Sequence, residues 1–229
     1  MPEGCVKFQA VLFDLDGTLL DTIDDLTDSM NAVLARRGRP QHSREDYKIF
    51  VGSGTRELVR LALPDACRDE TTVTQCEEEL KVHYEAHCMD RTRPFEGIDC
   101  LLDALTKRGL RMAILSNKPD AFVQRLVRAL LPRWAFDVVQ GELPGIPKKP
   151  DPAVPLMIAR RLGVEPAQIL YIGDSGIDME TAANAGMYPV GVLWGFRGER
   201  ELRSHGARLL FSQPHELLSL LKDGTEGAR

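Results

Sequence analysis

The sequence predicts a doubly wound parallel α/β sheet carrying one all-helical insert. Three observations predict it. Short, nearly continuous apolar runs recur along the chain, helical patterns lie between most of them, and one long segment, 21–93, is helical in pattern throughout. Runs of this length read as strands buried on both faces. Strand and helix in alternation give a parallel sheet covered on both sides.

The first run is VKFQAVLF, from Val6 to Phe13. Others are LRMAILS (110–116), FDVVQ (136–140), ILYIG (169–173), YPVGVLW (188–194) and ARLLF (207–211). Between them, GIDCLLDALTKRG places Ile98, Leu101, Leu102 and Leu105 at helical spacing before Gly109 stops the pattern. KPDAFVQRLVRALL and DPAVPLMIARRLG behave alike. In the insert, TIDDLTDSMNAVLARRG, SGTRELVRLAL and TVTQCEEELKVHYEAHC read as helices with no strand among them. RTRPFEGI (91–98) is the expected return linker, because Pro94 and Gly97 break both periodicities. This divides the chain into a core of residues 1–20 and 94–229 and a helical unit of residues 21–93. The polar tail after Leu221 is expected to fray.

Bulk properties narrow the function. Of 229 residues, 43% are hydrophobic, enough for a well-buried core, and 29 basic against 34 acidic residues leave a net charge of -5. That balance gives no reason to expect nucleic acid or an anionic membrane as a partner. No apolar run approaches the roughly 18–20 residues that span a bilayer. The first residues lack the basic stretch of a signal peptide, so a cytoplasmic protein is expected. Cys5, Cys67, Cys76, Cys88 and Cys100 are scattered and form no CxxC, which argues against a disulfide framework and a thiolate zinc site.

The chemistry gathers at strand ends. The first run leads into Asp14-Leu15-Asp16-Gly17-Thr18, the second into Ser116-Asn117-Lys118 and the fourth into Gly173-Asp174-Ser175-Gly176-Ile177-Asp178. Lys148-Lys149-Pro150 precedes the helix between the third and fourth. In an open parallel sheet the ligand crevice lies beyond the carboxyl ends of the strands. Four acids brought together there repel unless a cation joins them. Hard oxygen donors, with no His or Cys among them, favour magnesium. Carboxylates, magnesium, a lysine and free backbone N–H groups suit a phosphoryl group. One carboxylate can attack phosphorus and a second can move the proton.

The phrases DLDGT, SNK, KKPDP and GDSGIDMETAANAG, in this order, resemble the four motifs of the haloacid dehalogenase superfamily. The likeness runs over essentially the whole chain, and the helical insert resembles the type-one cap of that family. The stretches VGSGTRELVRLAL and GVLWGFRGERELRSHGA are similar to its phosphoglycolate phosphatase branch. The resemblance implies a Rossmann-like core, Asp14 as nucleophile and metal ligand, and Asp16 as general acid/base lending its backbone carbonyl to the metal. It implies that Ser116 and the N–H of Asn117 hold the phosphoryl group, with Thr18 beside them. Lys149, directly before Pro, neutralises phosphate and steadies Asp14. Asp174 is a direct ligand, and Asp178 holds a metal-bound water or orients Lys149. An acid at position 16 can activate water, so the phosphorylated aspartate is expected to be short-lived, as in a phosphatase or phosphomutase.

The insert offers less. VGSGT (51–55) reads as a turn into a helix capped by Ser53 or Thr55. Its glycines also let the backbone approach a small ligand, and the N–H groups of Ser53, Gly54 and Thr55, with Arg56 alongside, can meet a substrate carboxylate. His83 and His87 stand four apart on a helix, a spacing that binds zinc but more often marks a packed or solvated face. The expected activity is magnesium-dependent hydrolysis of a small phosphomonoester, 2-phosphoglycolate first, by a monomer or homodimer. Pyrophosphate, sugar phosphates and nucleotides are rival substrates. A β-phosphoglucomutase-like mutase is disfavoured by the lack of His in LLDTIDDL, and a phosphonoacetaldehyde hydrolase would rest on Lys48 alone. A scaffold without activity would have lost Asp14 or Asp16.

Overall fold

The computed structural model describes residues 8–221. Val6 and Lys7 of the first apolar run, Cys5 and the polar tail lie outside them. Strand β1 (Ala10–Phe13) leads through a tight turn into β2 (Leu20–Asp21). The insert follows as α1 (Ile23–Arg36), α2 (Arg44–Phe50), α3 (Thr55–Ala62) and α4 (Glu70–His87), and β3 (Arg93–Pro94) brings the chain back. Then come α5 (Ile98–Lys107), β4 (Arg111–Pro119), α6 (Asp120–Leu130), β5 (Val138–Glu142), α7 (Ala153–Leu162) and β6 (Ile169–Gly173). The described chain closes with α8 (Gly176–Asn184), β7 (Tyr188–Val192), α9 (Glu199–Ser204), β8 (Leu209–Phe211) and a 3₁₀ helix (Pro214–Leu221).

Six strands form one parallel sheet in the order β5-β4-β1-β6-β7-β8. Each of the six apolar runs supplies one of them. Alternate residues of β1 serve opposite faces. Val11 and Phe13 pack with Leu101 and Leu105 of α5 and Phe122 and Leu126 of α6, whereas Ala10 and Leu12 pack with Ile158 of α7 and Ala182 of α8. The order reverses on either side of β1, the topological switch point at which such sheets bind ligands. Register then sets the height of the chemistry. Phe13 lies beside Ile114 and Ile172, so Asp14, Leu115 and Gly173 share the next level.

Two features of the insert differ from the sequence reading. Helix α2 has too few residues to show a period, yet Ser43 and Asp46 form a capping box at its start. The crossings into and out of the insert are also paired: Leu20 and Asp21 of β2 face Pro94 and Arg93 of β3 in an antiparallel ladder. Two residues on each side are too few to show alternation, and the proline conceals the second of them. Asp25 reinforces this junction. Its carboxylate is buried and accepts from the backbone N–H groups of Arg91 (3.0 and 3.1 Å) and Thr92 (2.9 Å) and from the Thr92 hydroxyl (2.7 Å).

Asp25→Ala strands those buried donors, and the loss is about 2–4 kcal/mol. Urea denaturation followed by circular dichroism is expected to show it, with Asp25→Asn losing less. A change within about 0.5 kcal/mol would mean that the junction does not depend on this carboxylate.

Candidate active site

The turn after β1 aims its two acids differently. The N–H of Asp14 still bonds to Ile172 O (2.9 Å), which keeps this residue in the sheet. The N–H groups of Leu19 and Leu20 then fold back to Leu15 O. Gly17 makes the turn possible: its φ is +80°, and a Cβ there would overlap the Asp174 carboxylate. Asp14 comes to lie beside Lys149, and Nζ forms an ion pair with Oδ1 at 2.9 Å. Asp16 faces the other way. Its Oδ1 accepts from the Thr22 hydroxyl (2.6 Å) and from Lys118 Nζ (2.6 Å), and its Oδ2 from Ser116 Oγ (3.4 Å).

Strand β4 supplies the next three residues. It extends through Ser116, Asn117 and Lys118 instead of ending before them, with its pairing to β5 shifted between Leu115 and Pro119. The Asn117 amide is used completely by backbone partners. Its Oδ1 accepts from the Lys149 N–H (2.9 Å), while Nδ2 donates to Lys149 O (3.1 Å) and Gly52 O (3.0 Å). One side chain thus fixes the Lys149 loop and reaches the insert.

The end of β6 completes the cluster. Asp174 Oδ2 accepts from the Phe196 N–H (2.7 Å). Ser175 caps α8, and Asp178 Oδ2 returns the bond by accepting from the Ser175 N–H (3.1 Å) and hydroxyl (2.6 Å). The other oxygen, Oδ1, accepts from Lys149 Nζ at 2.7 Å. Asp178 is therefore both a first-turn helix acid and a partner of the lysine. Lys148, the other member of the doubled pair, is half-exposed and donates to Ser53 O (2.9 Å) on the insert.

Asp14, Asp174 and Asp178 each present an oxygen within 4.8 Å of the others, and all three are buried. The electrostatic cost is evident. Burial and then Asp178 push the Asp14 carboxyl well above its ordinary range, against the pull of Lys149. Burial, again followed by Asp178, pushes Asp174 up to about 7, although Phe196 N–H, Arg197 and Lys149 draw it down. Burial disfavours the Lys149 ammonium, but Asp14 and Asp178 more than offset it and hold the proton on. Three buried carboxylates facing one lysine carry surplus negative charge, and an oxygen-loving divalent cation removes it. The donor set fits magnesium.

The cleft runs from these residues to the insert, where Gly54 and Thr55 at the start of α3 line it. Three of the proposed binding residues do not. Thr18 is fully buried and turned toward Asp174 (3.4 Å). Ser53 offers its carbonyl to Lys148. Arg56 points along the insert to Glu77 (2.8 Å) and Glu70 of α4, so two carboxylates already neutralise it. The capping expectation fails as well, because Gly54 is the N-cap, φ +96°, and no side chain caps α3. His83 and His87 stack at 4.4 Å, with His83 half-buried and His87 exposed, and their Nδ1 atoms lie against Ser29 and Asp90.

The sequence reading gave no role to Lys118, Tyr84 or Arg197, all of which line the cleft. Lys118 stood inside a recognised phrase, and a lysine with so little exposure has to meet an acid. Arg197 follows β7, and its Nη2 donates to Ile49 O and Val51 O (both 2.9 Å), joining core to insert. Nothing local in the sequence signals that contact.

The chain is similar to known proteins over most of its length. The family model for haloacid dehalogenase-like hydrolases matches residues 11–192. A phosphoglycolate phosphatase of Xylella fastidiosa is 36% identical over 91% of this chain and 91% of its own length. An N-acetylmuramic acid 6-phosphate phosphatase of Pseudomonas aeruginosa is 32% identical over 94% of this chain and 96% of its own. A crystal structure from Lactobacillus delbrueckii, provisionally named a phosphoglycolate phosphatase, superposes with a TM-score of 0.88 at 36% identity, covering 94% of this chain and 98% of that one. No helix among the described residues is long and apolar enough to cross a membrane. With the family model spanning most of the chain and relatives of this identity matching nearly end to end, the chain belongs to the haloacid dehalogenase-like hydrolases and is a phosphatase of that family.

Proposed function

We propose that this phosphatase hydrolyses a small phosphomonoester, 2-phosphoglycolate first, with magnesium and through a phosphorylated Asp14. One observation carries the reading. The Asp14 carboxylate is held by Lys149 at the floor of a cleft, at the switch point of the sheet, within 4.8 Å of two further carboxylates.

In the first step an Asp14 oxygen attacks phosphorus, and the bond from phosphorus to the leaving oxygen breaks. Asp16 gives the leaving oxygen its proton. In the second step water attacks phosphorus, Asp16 takes a proton from that water, and the bond to Asp14 breaks to release inorganic phosphate. Lys149 keeps Asp14 aligned and offsets charge on the phosphoryl oxygens. The Ser116 hydroxyl and the Asn117 N–H fix those oxygens. Magnesium, when bound by Asp14, Asp174 and Asp178 with the Asp16 carbonyl, neutralises phosphate and carboxylates together. Residues 21–93 act as the cap over a core of residues 1–20 and 94–229, and closure excludes bulk water. Catalysis is assigned to the cytoplasm, by a monomer or homodimer.

The relative from Xylella fastidiosa named phosphoglycolate phosphatase supports the substrate. The N-acetylmuramic acid 6-phosphate phosphatase matches over a similar share of the chain, which puts sugar 6-phosphates second.

Release of inorganic phosphate from 2-phosphoglycolate is expected with magnesium and not with chelator. Asp14→Asn is expected to lower the rate at least about 10³-fold. Activity of that variant near wild type would overturn the phosphorylated-aspartate route, whereas turnover of other esters alone would move only the substrate. Asn117→Ala releases the Lys149 loop, and the expected result is a fall in kcat of about 10²-fold. Steady-state kinetics check it, and an unchanged kcat would show that the loop keeps its place without the amide.

A further inference from the structure

The insert side of the cleft is largely apolar. Leu26, Leu58, Leu80 and Phe122 line it, and its buried polar point is where Tyr84 meets Lys118. Thr55 and the exposed Lys81 are further polar side chains on it. Tyr84 ends the buried stripe of α4 that begins with Val73, Cys76 and Leu80. Its ring packs edge-on against Phe122, with centroids 5.1 Å apart. The stripe is ordinary core packing, but its last member is a tyrosine where a phenylalanine would pack as well. The hydroxyl is buried, in a residue 3% exposed, and makes no well-formed hydrogen bond, with the Lys118 ammonium as its polar neighbour. A buried hydroxyl without a partner is unfavourable and rare in native proteins, so it calls for one.

The neighbour is a cation. Lys118 Nζ lies 5.0 Å from the centre of the Tyr84 ring, and Asp16 is the one carboxylate it reaches among the described residues. An ammonium has three protons to donate, so this leaves two. A phenol O–H and an ammonium N–H together present donors, one from the insert and one from the core. Two donors in an apolar wall select a group rich in acceptors, and a carboxylate matches them where a hydrocarbon end does not. Arg56, the other cation considered for this task, is committed to Glu70 and Glu77.

We propose that Tyr84 Oη and Lys118 Nζ form the subsite for a carboxylate on the leaving group of the substrate. The proposal rests on the reading that the phosphoryl group sits at Asp14 and the leaving group extends toward the insert. It makes Tyr84 a specificity-determining residue and ties closure of the insert to a carboxylated substrate.

The test measures binding rather than turnover. In the Asp14→Asn protein with magnesium, calorimetry gives Kd for 2-phosphoglycolate and for ethyl phosphate, which lacks the carboxylate. The parent is expected to prefer 2-phosphoglycolate, and adding Tyr84→Phe is expected to reduce that preference about tenfold, the worth of a hydrogen bond to a charged group. Lack of preference in the parent, or a preference that survives Tyr84→Phe, overturns the subsite. A thermal melt of Tyr84→Phe alone separates this from a packing role. Because the hydroxyl has no well-formed hydrogen bond to lose, Tm is expected to hold or rise, and a fall of several degrees would overturn the proposal. Failure of wild-type phosphate release would count against the hydrolytic reading separately.

Discussion

The structure depends on one buried ammonium. Lys149 Nζ touches Asp14 and Asp178 at once, 2.9 and 2.7 Å away, in a region from which water is almost excluded. Two buried carboxylates at this separation could not both keep their charge without a cation between them. Much of the surrounding geometry serves to hold that cation. The Asn117 amide bonds to the backbone of Lys149 on both its N–H and its carbonyl. Ser175 holds the second oxygen of Asp178, so the first is left for the lysine. The helix cap and the active-site pair are the same side chain.

A second pair, Lys118 with Asp16, lies on the other side of the turn that begins at Asp14. The two lysines divide the two acids between them, and each acid meets a different environment. Asp14 lies among carboxylates and is driven toward protonation in the absence of metal, chiefly by burial. Asp16 has a hydroxyl and an ammonium on one oxygen and a second hydroxyl near the other. Two carboxylates two residues apart become chemically distinct because the chain turns between them.

The sheet was readable because its strands are buried on both faces and their apolar runs are nearly unbroken. Asp14 and Asp174 were readable for a different reason: acids directly after such runs have no structural use there, whereas Asp178 also caps α8. The insert was less open to inference. Arg56 has the charge and sequence position of a substrate ligand, yet its direction is set by Glu70 and Glu77 on a helix remote in sequence. Ser53 looked like a helix cap, and Gly54 took that place with a backbone angle that serine rarely adopts. Tyr84 was concealed by its own periodicity, since a stripe at 73, 76, 80 and 84 is explained by packing alone. Propensity and pattern report which face of a helix is buried; they do not report what the far end of a side chain meets.

The contacts between insert and core favour communication over simple cover. Gly52 O bonds to Asn117, Ser53 O to Lys148, and Ile49 and Val51 carbonyls to Arg197. Each is a backbone carbonyl on the insert held by a core side chain, and Asn117 also fixes the lysine loop. These carbonyl contacts lie together on residues 49–53 and pin that loop to the core. A buried apolar interface can slide at little cost, whereas bonds to fixed carbonyls break or form as units. Residues 49–53 and the Lys149 loop thus share a partner in the Asn117 amide. The side chain that holds the insert at Gly52 is therefore the one that fixes the backbone of the lysine beside Asp14.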